Sequence, residues 1–321
     1  MVNVYEAQAQ NKRKSALVIA LFVIFVTLAV YVLAQAFAVY SGYRPGGLGF
    51  VGLALIISGL MSFAGYYFSD RIVLTISQAR PADRKKDFNF YTVAENLAIG
   101  AGLPKPKLYV IEDSAPNAFA TGRDPEHAVI CATTGLLDKL SRTELEGVIA
   151  HELTHVKNYD TRLQSLVAVM VGMVALLGDW FLRKRWQGRR DDREGGNIAA
   201  IFMLVGIIFA IASPIIAQLI QLAISRRREF MADAGSVEIT RQPSGLIGAL
   251  IKISADREPL EAANKATAHL YIVNPFKWID DPERTSPEQR RRSRRVVNTF
   301  ASLFNTHPPI AERINLLKEM A

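Results

Sequence analysis

The chain has 321 residues, half of them hydrophobic, with 38 Lys and Arg against 30 Asp and Glu, a formal net charge of +8 and a mean hydropathy of +0.14. The single cysteine, Cys131, excludes an intrachain disulfide, and a small buried residue in a strand is its expected role. The positive charge flanks apolar runs and comes with no nucleic-acid recognition motif, so it fits membrane topology and anionic headgroups and argues against a nucleic-acid partner.

Residues 1–14 are a polar tail carrying Lys12, Arg13 and Lys14. Residues 15–43 then hold no charged side chain, and neither do 45–69, 195–225 and the shorter 163–178. A helix needs about 20 apolar residues to cross hydrocarbon, so this pattern predicts an integral membrane protein with spans at 15–38 and 48–68. The first run exceeds the ~7–15 residues of a signal-peptide core, which predicts an uncleaved helix. Arg44-Pro45-Gly46-Gly47 reads as a tight connector. It carries one positive charge, whereas the tail before it has three and the segment at Arg71–Lys86 has five. The positive-inside rule therefore places the N-terminus and everything after residue 70 in the cytoplasm.

Residues 88–160 read as a mixed soluble segment. Phe88 to Ala101 predicts a helix ended by Gly100, Gly102 and Pro104. The β-branched and aromatic content of 107–113 and 126–135 predicts strands, with a short strand and a turn at Gly122-Arg123-Asp124-Pro125 between them. Ser-Arg-Thr-Glu at 141–144 is a capping box. It opens a helix whose Leu145, Val148, Ile149 and Val156 recur at helical spacing.

That helix carries His151-Glu152-Leu153-Thr154-His155. A spacing of four puts both imidazoles on one face, one turn apart. Two neutral nitrogens then converge on one point, as a tetrahedral zinc ion needs, and Glu152 between them can reach a water at the metal without being a ligand. The alternative is a pair of hydrogen-bonded helix-edge histidines with Glu152 in an ion pair. A catalytic site also needs a third ligand. The candidate is Glu229, just past the last apolar run, with Asp233 one turn further on in place to hold a ligand histidine by hydrogen bond. On spacing alone, Glu229 serves equally well as a surface partner of Arg226 or Arg228. His127 and His269 have nothing near them to complete a site.

The arms at 163–182 and 197–224 predict a second hydrophobic hairpin whose connector carries six cations against three acids, so two to four spans stay open. His155 lies eight residues before Leu163, about 12 Å along a helix, and Glu229 five residues past Ile224, about 7.5 Å. If both arms enter the bilayer, a metal there is expected near its cytoplasmic surface. The Arg-rich stretch 280–295 reads as an exposed flexible loop.

His-Glu-Leu-Thr-His followed by Glu229-Phe230-Met231-Ala232-Asp233 resembles the HtpX-like membrane zinc metalloproteases, relatives of the CAAX prenyl endopeptidases. Pro116–Gly122 resembles that family's substrate-binding edge strand, and Thr306–Ile314 resembles its C-terminal signature. The resemblance spans nearly the whole chain. It implies one Zn2+ held by His151, His155 and Glu229, a general base at Glu152, roles near the metal for His307 and Arg313, and substrate pairing at Asn117, Ala118, Phe119, Ala120 and Thr121. An edge strand takes an extended peptide through backbone hydrogen bonds, and a His or Arg can stabilise a developing oxyanion.

The expected fold is α+β and mainly helical, a zincin-type domain with a small sheet on two to four transmembrane helices. Its expected divisions are an N-terminal hairpin (1–70), a first protease part (71–162), a second hairpin (163–225) and a second protease part (226–321). The expected activity is zinc endopeptidase cleavage of misfolded or membrane polypeptides on the cytoplasmic side of the plasma (inner) membrane. A catalytically silent zinc-binding scaffold is the competing reading. A transporter predicts ionisable residues inside the spans, where only Asp179 is a candidate.

Overall fold

In the computed structural model, which describes residues 4–40, 48–172, 226–263, 267–275 and 308–321, the tail and the first apolar run form one helix, α1 (Val4–Tyr40). Its 37 residues make a rod of about 55 Å. α2 (Leu48–Tyr67) lies against it, and Thr27 and Ser58 share a 2.9 Å hydrogen bond across the apolar seam. α3 (Ser69–Ile76), not expected from the sequence, turns off α2 by 75°. Among the described residues, α1 is long and apolar enough to cross a membrane, and α2 with α3 passes only as a bent pair. Leu17, Ile24, Leu28, Ile56, Leu60 and Phe63 point outward, a surface costly in water and natural against hydrocarbon.

A four-stranded mixed sheet follows. Its strands are β1 (Arg80–Pro81), β2 (Lys107–Ile111), β3 (Ala118–Thr121) and β4 (Val129–Thr133), ordered β1-β2-β4-β3. β2 and β4 run parallel with Lys107 opposite Val129, and β3 closes one side antiparallel, with Ala118 opposite Ala132. Helix α4 (Phe88–Gly100) lies between β1 and β2 in the chain. Alternation along the strands splits the core in two. Leu108, Val110, Ala118, Ala120, Ile130 and Ala132 face α4 and the catalytic-side helices, whereas Ile111, Phe119, Val129 and Cys131 face Val73 and Leu74 of α3 and Tyr271. The rings of Phe119 and Tyr271 meet edge to face, 5.1 Å between centroids.

The remaining α-helices among the described residues are α5 (Thr134–Lys139), α6 (Arg142–Lys157), α7 (160–172 as far as described), α8 (Arg226–Thr240), α9 (Pro243–Ala255) and α10 (Ile310–Lys318). α6 is central, packed on α4, α8 and α9. Both hydrogen bonds of its capping box form, Glu144 N–H to Ser141 Oγ and Ser141 N–H to a Glu144 oxygen. Its expected apolar positions Leu145, Val148, Ile149 and Val156 are all in the core.

One expectation is corrected here. The α6 helix does not run on to the apolar arm: it breaks at Asn158–Tyr159, and α7 restarts at Asp160. Tyr159 sits at φ 58 in the left-handed region, so the 12 Å helical spacing between His155 and Leu163 does not hold. α7 instead lays Leu163, Leu166, Val167 and Met170 on Val18, Phe22 and Val26 of α1. The rest of the second hydrophobic hairpin and the 280–295 segment lie outside the described residues.

α6 and α9 touch at glycine. A Cβ on Gly147 would come within 2.4 Å of the Leu246 backbone nitrogen, so any side chain there pushes the helices apart. Gly147→Ala is expected to destabilise the fold by about 1–3 kcal/mol, read as a lowered melting temperature in detergent. Burial pushes the Cys131 thiol far above its ordinary range. Maleimide labelling of Cys131 is therefore expected only after denaturation.

Candidate metal centre

The capping box fixes where α6 starts, and with it which face holds His151 and His155. The two rings meet edge to face with Nε2 atoms 3.2 Å apart. Glu229, in the first turn of α8, faces them, its Oε2 3.8 Å from His151 Nε2 and its Oε1 3.6 Å from His155 Nε2. Exposure of the three is 1%, 4% and 2%.

Three donors bonded to one zinc at 2.0–2.2 Å in a tetrahedron lie roughly 3.3–3.6 Å from one another. The two Nε2 atoms are 3.2 Å apart, each lies 3.6–3.8 Å from one of the two Glu229 oxygens, and one donor atom from each residue falls within 4.8 Å of the others, a set of two imidazoles and one carboxylate that suits zinc. His151, His155 and Glu229 are the one such group among the described residues. The residues fit the metal.

Each ligand histidine leans on a carboxylate, and each carboxylate on an arginine. His151 Nδ1 lies 3.0 Å from Asp233 Oδ1, one turn along α8 from Glu229. Arg313 of α10 grips Asp233 with two nitrogens, Nε at 2.8 Å and Nη2 at 2.5 Å, and brings Nη1 to 3.7 Å from Glu229. His155 Nδ1 lies 3.0 Å from Asp160 Oδ2, and Arg228 Nη1 is 3.5 Å from Asp160 Oδ1. A carboxylate on Nδ1 keeps the proton there and leaves Nε2 free to ligate.

Electrostatics separate the two imidazoles. Burial lowers the affinity of His151 for a proton, and the Arg313 cation adds to this. Burial also works against a charged His155, yet the bond to Asp160 and the charge of Glu229 outweigh it and raise its pKa. One ring is thus poised to donate to the other, and a metal takes that proton's place. Burial pushes the Glu152 carboxyl up to about 7, with Glu229 adding to the effect. Burial opposes the charge on Asp233 too, but the bond from Arg313 overrides it and keeps the group ionised.

Glu152 lies on α6, which packs against β3, and the Ala120 N–H of that strand works against the rise in its pKa. The outer rim of that strand is not bare. Ala118 C=O accepts from Ile272 N–H at 3.0 Å, the Asn117 amide donates to Val273 C=O at 2.9 Å, and Ser165 Oγ accepts from Gly122 N–H at 3.2 Å. Asn117 to Thr121 are all buried. Arg313 lies behind the ligands, committed to Asp233, rather than open toward an incoming carbonyl. His307 lies outside the described residues. His127 pairs with Asp124, and His269 Nε2 donates to Gln164 C=O at 3.1 Å, and neither belongs to the group of metal donors. Asp160 was not singled out from the sequence. Its signal was the polar Asn158-Tyr159-Asp160 interruption just after the second histidine.

The sequence profile of Peptidase family M48 matches residues 85–321. The chain is 41% identical over 320 residues to "Protease HtpX homolog" of Caldanaerobacter subterraneus subsp. tengcongensis, covering 98% of this chain and 97% of that one. It is 42% identical over 316 residues to the like-named protein of Dictyoglomus turgidum, covering 98% and 94%. Among solved structures, S. mikatae Ste24p is similar at 18% identity and a TM-score of 0.45, over 89% of this chain and 61% of that one.

Asp233→Asn keeps the shape beside His151 and removes the charge. It is expected to weaken zinc binding about 10–100-fold, measured by competition with a chromophoric chelator. An unchanged affinity would show that this carboxylate does not orient the ligand.

Proposed function

The chain belongs to peptidase family M48 and is a metalloprotease, and from that premise we propose a zinc endopeptidase that cuts membrane or misfolded polypeptides at the cytoplasmic face of the plasma (inner) membrane, in the service of membrane protein quality control. The observation that carries it is the convergence of His151, His155 and Glu229 beside the buried Glu152. Zinc held there supplies Lewis acidity toward the scissile carbonyl and lowers the pKa of water. Glu152 takes a proton from the attacking water and hands it to the departing amine. Its burial, which favours the protonated form, suits a group that must carry a proton between the two steps.

Asp233 and Asp160 hold the two imidazoles, and Arg313 holds Asp233. We assign Arg313 a positioning role on this ground, and His307 the role near the metal that the resemblance implies. The substrate runs along β3 at Asn117, Ala118, Phe119, Ala120 and Thr121, because the Ala120 N–H and the Glu152 carboxylate already adjoin. A peptide strand entering there replaces the chain's own contacts at Ala118 and Ala120. The membrane reading rests on α1, whose polar first turns lie beside the metal helix and whose apolar length follows directly. On it, residues 1–70 and 163–225 are membrane hairpins, and 71–162 with 226–321 make up the protease. The lipid bilayer is then a standing partner and polypeptides the substrates.

Purified protein in detergent with added zinc is to be tested on an unfolded model substrate, wild type beside Glu152→Gln, with bound zinc measured in both. The variant is expected to keep its zinc and lose about 10²–10⁴-fold in turnover. If it cuts like the wild type, Glu152 is not the base. If neither cuts with zinc bound, the silent scaffold is favoured. Equal cleavage of one substrate in soluble and membrane-embedded forms would count against the membrane role.

A further inference from the structure

We propose that Asn11, on the N-terminal helix, is a positioning residue for the metal centre, acting through Asp160 on His155. The inference rests on the metal-site reading above and extends it to α1.

Asn11 is 1% exposed, although it belongs to the polar end of α1. Its Nδ2 donates to Asp160 Oδ1 at 2.7 Å and to Asn158 C=O at 2.9 Å. Its Oδ1 accepts from Arg228 Nη1 at 3.4 Å. The other oxygen of the same Asp160 carboxylate faces His155 Nδ1 at 3.0 Å. The carboxylate is therefore held at one end by α1 and α8, and it holds the ligand histidine with the other.

Only a short primary amide meets this demand. It must donate twice and accept once without bringing a charge. A lysine at this position has no acceptor for Arg228, and a carboxylate repels Asp160.

The turn that delivers Asp160 needs the same support. Tyr159 at φ 58 adopts a left-handed conformation that is costly for a non-glycine residue, and such a residue persists only where its surroundings hold it. α1 supplies those surroundings. Gln8 Nε2 donates to Lys157 C=O at 2.9 Å, Asn11 to Asn158 C=O, and the Lys12 ammonium sits 4.5 Å from the centre of the Tyr159 ring. Three contacts from about one turn of α1 thus clamp the reversal between α6 and α7. The same helix continues without a break into the apolar run. A tilt or rotation of α1 moves Asn11, and with it the carboxylate that aims His155.

The full-length protein in detergent is compared as wild type, Asn11→Leu and Gln8→Ala. Leucine keeps the branched shape and removes the Asn11 hydrogen bonds to Asp160 and Asn158, leaving the Arg228 contact with Asp160 in place. Gln8→Ala loosens the same helix contact without touching Asp160. The readouts are the rate of zinc loss to excess chelator, the visible absorption of the cobalt-loaded protein, and the melting of the metal-free form. Asn11→Leu is expected to release zinc about tenfold faster, the low end of what partners of a ligating histidine command, and to shift the cobalt bands. Gln8→Ala, which removes one contact of the clamp but none to Asp160, is expected to change both by clearly less than Asn11→Leu. Should Asn11→Leu fail to fold, Asn11→Asp, beside Arg228, removes the donor instead and is expected to act in the same direction. Wild-type release and spectrum in the Asn11 variant overturn the inference, as do equal changes in Asn11→Leu and Gln8→Ala, which would assign the effect to helix docking alone. A wild type that binds no zinc overturns the metal reading and this inference with it, whereas normal zinc binding with an indifferent Asn11 overturns this inference alone.

Discussion

Everything at the centre depends on how closely α6 and α8 approach. A Cβ on Gly235 would fall 2.4 Å from the Thr154 side chain, so α8 brings no side chain of its own to the point where Thr154 of α6 meets it. Ser236 Oγ donates to the Gly147 carbonyl at 2.8 Å and fixes the same seam. With the axes this near, a carboxylate from the first turn of α8 reaches two imidazoles on α6. Separate them by one methyl group, and Glu229 no longer converges with the histidines. Packing at a bare glycine surface therefore decides the chemistry a turn or two away.

Around that seam the buried charge is arranged in two matching relays: His151 to Asp233 to Arg313, and His155 to Asp160 to Arg228. Burying so many ionisable groups is tolerable only because each meets an opposite charge or a hydrogen-bond partner. The two relays also draw in chain from far apart. Arg313 comes from the last helix, Arg228 from the helix that brings Glu229, and Asn11 from the first.

How much of this was legible in the sequence follows from range. The capping box, the α6 register and the two histidines are local, and the structure has them where the pattern puts them. The strands at 107–111 and 129–133 were legible because they hold Tyr109, Val110 and Ile111 and Val129, Ile130 and Thr133, residue types that favour strands, and 129–133 is buried on both faces. β1, two residues long, carries no pattern to find. The break at Asn158–Tyr159 contains no Gly or Pro, so α6 read as continuing, and Asp160 was missed because it reaches His155 only through that break. Glu229 was a candidate from spacing, but its approach to the histidines is a matter of helix packing, which spacing does not encode. The partnership of Asn11 with Asp160 is equally invisible, since nothing in either neighbourhood points to the other.

The rim of β3 has one more consequence. An unpaired strand edge invites any other edge, and proteins guard against that. Here Ile272 takes up the Ala118 C=O and Ser165 the Gly122 N–H, so at rest the strand offers little to a passing folded sheet. A chain that pairs with β3 must exchange hydrogen bonds one for one, and the exchange favours a segment long and slack enough to lie extended across several positions at once. On the proposed reading of β3 as the strand that takes the substrate, selection by such an edge is selection for looseness, asking whether a polypeptide has lost its own structure and nearly blind to which side chains it carries.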